Sequence, residues 1–206
     1  MRQLTLIRHG VTAWNKTGQF QGHTDIPLSA EGQKQARALA KHLAKATETV
    51  DLVYSSPLKR AVETAEIVFP QFEIIQDERL KEIHFGIFEG HTQTENEASE
   101  LWGKWYADPF KRKAPQGESY EDVRLRAVAW MESLPELERI VAVAHSGTIQ
   151  MLLSHVLGLE HPLWRKRFYL RHSSITRILF KGKEAIIERV NDARHLATSE
   201  DDPFLD

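Results

Sequence analysis

The sequence predicts an α/β fold with a mostly parallel central sheet and helices on both faces. Short apolar runs alternate with helical periods along the chain, the pattern of strands joined by crossover helices. The runs at 3–8, 50–54 and 139–144 read as buried strands, and each is followed at once by polar residues. In such sheets ligands bind outside the carboxyl ends of the strands, so His9, the stretch from Ser55 to Arg60 and the stretch His145-Ser146-Gly147 are expected to meet.

The elements follow in order. Residues 3–8 form the first strand, and 15–28 read as loop, punctuated by Gly18, Gly22 and Pro27. Ser29 caps a helix over 30–46, with Ala36, Leu39, Ala40 and Leu43 on its apolar stripe. After the strand at 50–54, Ser56-Pro57 opens a helix to about 69, serine at the cap and proline at the first helical position. Residues 72–75 form a short edge strand, and 80–90 an irregular loop with acids at 82 and 89. Residues 95–106 read as one helix contributing Leu101, Trp102 and Trp105, and 109–117 as linker. Ser119 starts a helix to about 134, with Asp122 completing a weak capping box. The strand at 139–144 leads into a helix to about 157. Two alternating strands at 174–180 and 185–190 close the chain around the turn at 181–184.

Composition excludes several classes. At 206 residues and 41% apolar content, the chain is long enough for one cored domain, expected over residues 1–197 with a mobile acidic tail at 198–206. A formal net charge of −2 argues against a nucleic-acid binder, and Lys111-Arg112-Lys113 is read as a solvated run. Without cysteine there is no disulfide framework, thiolate site or cysteine nucleophile. No leader and no run of the ~18 apolar residues that span a bilayer is visible, so a soluble cytoplasmic protein without membrane partners is expected.

The three strand-end clusters suggest chemistry. Together they hold Arg8, Arg60, His9 and His145, plus backbone N–H groups at the helix start near Ser146-Gly147. Guanidinium forks and helix N-termini suit phosphate. Arg60 sits in a first helical turn, where the dipole disfavours a cation, which favours a role toward an anion. Two arginines and one cationic histidine would balance a phosphomonoester, leaving the other histidine neutral for attack on phosphorus. The departing alkoxide needs a proton. An acid beside phosphate is driven toward its protonated form by like charge and partial burial, and Glu82 is the best candidate because it lies in the irregular loop. Glu89 reads as a brace for loop backbone and Glu118 as a helix start. Trp102, Trp105 and Tyr106 read as packing. The histidines at 23, 84, 91, 155, 161, 172 and 195 lack metal-ligand spacing, so neither metal nor cofactor is expected.

Five ordered blocks carry a resemblance. They are Leu6-Ile-Arg-His-Gly-Val-Thr-Ala-Trp-Asn15, Gly18-Gln-Phe-Gln-Gly-His-Thr-Asp-Ile-Pro-Leu-Ser-Ala-Glu-Gly32, Ser55-Ser-Pro-Leu-Lys-Arg-Ala-Val-Glu-Thr-Ala65, Leu80-Lys-Glu-Ile-His-Phe-Gly-Ile-Phe-Glu-Gly90 and Val143-Ala-His-Ser-Gly147. The chain resembles the histidine phosphatase superfamily, the phosphoglycerate mutase-like proteins. The resemblance implies a three-layer α/β/α sandwich and a metal-independent phosphatase acting on small phosphorylated substrates through a phosphohistidine. By position it makes His9 the nucleophile, Glu82 the proton donor, and Arg8, Arg60 and His145 the phosphoryl ligands. It gives Asn15 a side-chain contact, and places the Gln21-Gly22 backbone and the His145-Ser146 turn along the pocket. Where the family often has Glu or Gln, this chain has Val11. Its loop reads Glu82-Ile-His-Phe-Gly where mutases typically carry Glu-Arg-His-Tyr-Gly. The segments Phe88-Glu89-Gly90 and Pro115-Gln-Gly-Glu-Ser119 resemble the phosphatase branch, including α-ribazole phosphatases. A mutase-type transfer and a phospho-ligand-binding member with weak catalysis are the rival readings. A homodimer is left open.

Overall fold

The computed structural model describes residues 2–45, 49–159, 168–182 and 184–196. The end of the predicted 30–46 helix, part of the 161–172 region and the 198–206 tail lie outside them. In chain order the elements are β1 (Arg2–Arg8), α1 (Ala13–Thr17), α2 (Ala30–Leu43), β2 (Leu52–Ser55), α3 (Lys59–Val68), β3 (Ile74–Gln76), α4 (Gln93–Glu97), α5 (Glu100–Ala107), α6 (Tyr120–Glu132), β4 (Arg139–Ala144), α7 (Ser146–Val156), β5 (Ile175–Lys181) and β6 (Glu184–Asp192). Short 3-10 turns at Glu78–Leu80 and Gly86–Phe88 shape the loop after β3.

The sheet order is β3-β2-β4-β1-β5-β6. Neighbours from β3 to β1 are parallel, whereas β5 and β6 run antiparallel. The carboxyl ends of β1, β2 and β4 therefore share one edge, and the amino end of β5 joins them there.

Side-chain alternation divides the core into two layers, because neighbouring strand residues face opposite ways. Leu4, Leu6, Ile140, Ala142 and Ala144 pack against Trp130 and Met131 of α6 and Ile149, Leu152 and Leu153 of α7. Ile7, Val53, Val141 and Val143 pack against Ala36 and Leu39 of α2 and Ala61, Ala65 and Val68 of α3. Helices thus cover both faces, as the sequence predicts. A third cluster of Ile83, Phe85, Phe88, Trp102, Trp105 and Tyr120 lies under the 80–118 region. Trp102 and Trp105 are packing residues here.

Three local predictions need correction. Helix α3 begins at Lys59, with Leu58 at the cap position and no side-chain cap bond. Ser56 is still in the sheet ladder, donating its N–H to Val143; the helix start is served instead by Asp25, whose Oδ1 accepts from Lys59 N–H at 2.7 Å. The predicted 95–106 helix is two helices, because Thr92 and Ser99 each cap a separate start. The 15–28 loop begins inside α1, which Thr12 and Asn15 cap reciprocally.

Leu152 is fully buried among Leu6, Trp130 and Ile149. Leu152→Ala is expected to lower unfolding free energy by ~2–5 kcal/mol through lost contacts and a residual cavity. Urea denaturation checks this; a loss under about 1 kcal/mol would contradict the packing described.

Candidate active site

Strand β1 delivers Arg8 and His9 to the shared edge. The chain there is pinned: His9 N–H donates to Ala144 at 3.0 Å and Ser173 N–H to the Arg8 carbonyl at 2.9 Å. The space beside Gly10 is occupied by α2. A Cβ on Gly10 would stand 2.7 Å from the Gly32 carbonyl oxygen, and one on Gly32 would stand 2.1 Å from that of Val11. The two glycines let the backbones touch behind His9.

His9 is buried, its ring centroid 5.0 Å from that of His145 and 5.6 Å from that of His172. Nδ1 lies 2.7 Å from the Gly10 carbonyl oxygen. A carbonyl only accepts, so Nδ1 carries the proton and Nε2 keeps its lone pair. Burial, then Arg60 and Arg8, hold His9 well below the ordinary imidazole value.

His145 comes from the end of β4 and caps α7. It is fully buried, and its Nε2 is 2.8 Å from Ser56 Oγ. That hydroxyl also accepts from Leu58 N–H at 3.3 Å, and with a second lone pair and its own proton it can serve either tautomer of the ring. Nδ1 has no hydrogen-bond partner among the described residues. Burial and Arg60, followed by His9, push this group well below its ordinary value too. The expected cationic histidine is therefore not found: both rings are neutral, because burial and two adjacent guanidiniums disfavour a third cation.

Arg8 donates to the Leu170 carbonyl and, at 2.8 Å, to Nε2 of His172. Arg60 is 1% exposed and donates to the carbonyls of Gly22 at 2.7 Å and Thr24 at 3.0 Å. Both stay cationic at neutral pH, although burial lowers each to about 10. The Nε atoms of Arg8 and Arg60 have no partner among the described residues. Of the acids acting on either arginine, Glu82 acts most strongly.

The Glu82 carboxylate accepts from Gly147 N–H and Ile83 N–H, each at 3.0 Å. The α7 N-terminus, expected to face a ligand, instead gives one of its free N–H groups to this carboxylate. A Cβ on Gly147 would lie 2.4 Å from Glu82 Oε1, so the glycine makes the seat. Ser146 Oγ accepts from Gln150 of its own helix at 3.4 Å. Gln21 is buried with Oε1 2.8 Å from Thr12 Oγ1. Gly22 brings its carbonyl to Arg60. Asn15 Oδ1 caps α1 from Thr12 N–H at 2.9 Å. Glu89 braces the loop, as read, accepting from the backbone of His23, Thr24 and Phe85.

Sequence reading missed His172, Ser56 and Arg126. His172 precedes β5, and only an antiparallel strand starts at the edge where its parallel neighbours end. Arg126 lies mid-helix and pairs with Glu118. Among the described residues, no group of three or more acids or histidines is arranged to hold a metal, and no helix is long and apolar enough to cross a membrane. A cavity of about 550 Å³, lined by Gln3, Leu43, Val68, Phe72 and Arg139, lies at the opposite edge of the sheet, where β1 and β4 begin.

The model of the histidine phosphatase superfamily, branch 1, matches residues 4–193. The chain belongs to this superfamily. Among histidine phosphatases and their kin, it is similar to a phosphoserine phosphatase of Entamoeba histolytica solved with 3-phosphoglyceric acid. The two share 32% identity, with 96% of this chain and 100% of that one covered and a TM-score of 0.84. The α-ribazole phosphatase of Shigella flexneri is 28% identical over 93% of this chain and 96% of its own, with a TM-score of 0.83. A probable phosphoglycerate mutase of Escherichia coli is 34% identical over all of this chain and 98% of its own. Membership and these relatives support phosphatase activity.

Buried neutral histidines make a histidine phosphatase chain acid-sensitive. The unfolded chain binds protons below about pH 6.5, whereas burial and Arg8, Arg60 or both hold folded His9, His145 and His172 lower. Stability is therefore full above pH 6.5 and falls as pH drops below it, by about 1.4 kcal/mol per pH unit for each such group. Denaturant midpoints from pH 8 to 5 test this, and His172→Asn is expected to flatten the slope by about one proton. A flat profile in the parent would contradict neutral burial.

Proposed function

We propose that the protein hydrolyses small phosphomonoesters through a phosphohistidine on Nε2 of His9, without need of a metal. The observation that carries this reading is a free imidazole lone pair beside three buried nitrogens lacking partners among the described residues: Nε of Arg8, Nε of Arg60 and Nδ1 of His145. Each unsatisfied buried polar group costs roughly 1–3 kcal/mol, and phosphoryl oxygens are acceptors of the right charge.

In this reading the arginines and His145 bind the phosphoryl oxygens, and Asn15 adds its amide N–H. The Gln21-Gly22 backbone and the His145-Ser146 turn line the approach. Nε2 of His9 attacks phosphorus and the P–O ester bond breaks. Glu82 gives a proton to the leaving alkoxide. The carboxylate then takes a proton from water as that water attacks phosphorus. The N–P bond breaks, and inorganic phosphate leaves a neutral His9. Preorganised cationic donors stabilise the charge that develops on the equatorial oxygens.

His9→Ala is expected to abolish turnover of p-nitrophenyl phosphate measured with EDTA present, and labelled phosphate should be trapped on the parent chain as an acid-labile, base-stable adduct. Full activity in His9→Ala would sink the mechanism. Dependence on a bisphosphorylated primer, with little phosphate released, would favour the mutase reading instead. Gly147→Ala is expected to displace Glu82 and cut turnover of glycerol phosphate, whose leaving group needs a proton, at least about tenfold, within the range for loss of a positioned acid, while circular dichroism stays native. Unchanged activity would mean that the Gly147 seat is dispensable.

A further inference from the structure

We infer that the Glu118–Arg126 pair is a positioning device for Glu82, controlling proton delivery to the leaving group rather than phosphate binding. The inference rests on the reading of Glu82 as proton donor. Arg126 projects from α6 and gives three of its five N–H groups to the backbone at 79–82 and the other two to Glu118. NH1 donates to the carbonyls of Arg79 at 2.9 Å and Lys81 at 2.6 Å; NH2 donates to the carbonyl of Glu82 at 2.9 Å. Nε and NH2 form a two-point pair with Glu118, each at 3.0 Å. Glu118 Oε2 also accepts from His84 N–H at 3.0 Å. The backbone is thereby fixed at 79, 81, 82 and 84, on both sides of Glu82. Nε2 of His23 donates to the same Glu82 carbonyl at 2.9 Å.

The electrostatics keep the pair engaged. Burial opposes ionisation of Glu118, but Arg126, the His84 N–H and His23 together hold its pKa below the ordinary value. Lysine cannot replace this arginine, having three donors and no planar fork. The Arg126 charge also acts on His145, although behind burial, Arg60 and His9. A lysine variant separates the two effects, since it keeps the charge and loses the fork.

The experiment compares kcat/KM on p-nitrophenyl phosphate, whose leaving group needs no proton, with kcat/KM on glycerol phosphate, whose leaving group does. Arg126→Lys and Arg126→Met are expected to lose roughly tenfold or more on glycerol phosphate and under about threefold on the aryl ester, approaching the effect of losing a positioned acid. Glu118→Gln, a milder change that keeps one acceptor for His84, should shift the ratio in the same direction. It decides the matter together with Arg126→Lys if Arg126→Met does not fold. Equal losses on both substrates, or an Arg126→Lys variant with parent selectivity, would overturn the inference. Glu82→Gln is the control. If it shows no preferential loss on the alkyl ester, the proton-donor reading itself fails. If it does and the Arg126 variants do not, only the positioning role fails.

Discussion

Arg8 and Arg60 carry two full charges beneath the surface of this protein, with backbone carbonyls among the acceptors of each. Burying a guanidinium is tolerable only if its donors are met. The carbonyls of Gly22, Thr24 and Leu170 do that for the outer nitrogens, which is why the loop after α1 and the segment before β5 must fold against the sheet edge. Burial, aided by the same two charges, keeps His9 and His145 neutral. The charge of the arginines is offset by dipoles rather than by a close carboxylate. Glu82 faces both arginines yet spends its oxygens on the N–H groups of Ile83 and Gly147.

That division of labour is built by the sheet. Parallel pairing of β1 with β4 and of β4 with β2 brings their last residues to one edge. The register pairs Arg8 with Ala144, so the next residues, His9 and His145, emerge side by side. Small residues then allow the close approaches: Gly10 against Gly32 behind His9, and Gly147 against Glu82. The aromatic cluster of Phe85, Phe88, Trp102 and Trp105 anchors the far side of the Glu82 loop. The loop is irregular in backbone but held by packing and by Arg126.

Much of the fold was legible because strands buried on both faces leave apolar runs, and because polar residues just after such runs mark a sheet edge. Arg8, His9, Arg60 and His145 could be singled out on that pattern. What misled the reading was local chemistry with a distant partner. Ser56-Pro57 has the composition of a helix start, but Ser56 stays in the ladder and gives its hydroxyl to His145. The 95–106 stretch has one apolar stripe, but two capping residues divide it. Ordinary caps act within three residues; Asp25 caps α3 from 34 residues away, and no window over the sequence contains both.

The sequence by itself determined the α/β alternation, the strand ends that gather the histidines and arginines, and the acid-bearing loop. These depend on periodicity and on short motifs, which are properties of neighbouring residues. The tertiary structure alone decided the neutral state of the His9 and His145 imidazoles, the placing of His172 beside Arg8, and the three-point grip of Arg126 on the loop of Glu82. Protonation depends on burial and on charges brought together from across the chain, and a guanidinium finds its carbonyls only after the elements have packed.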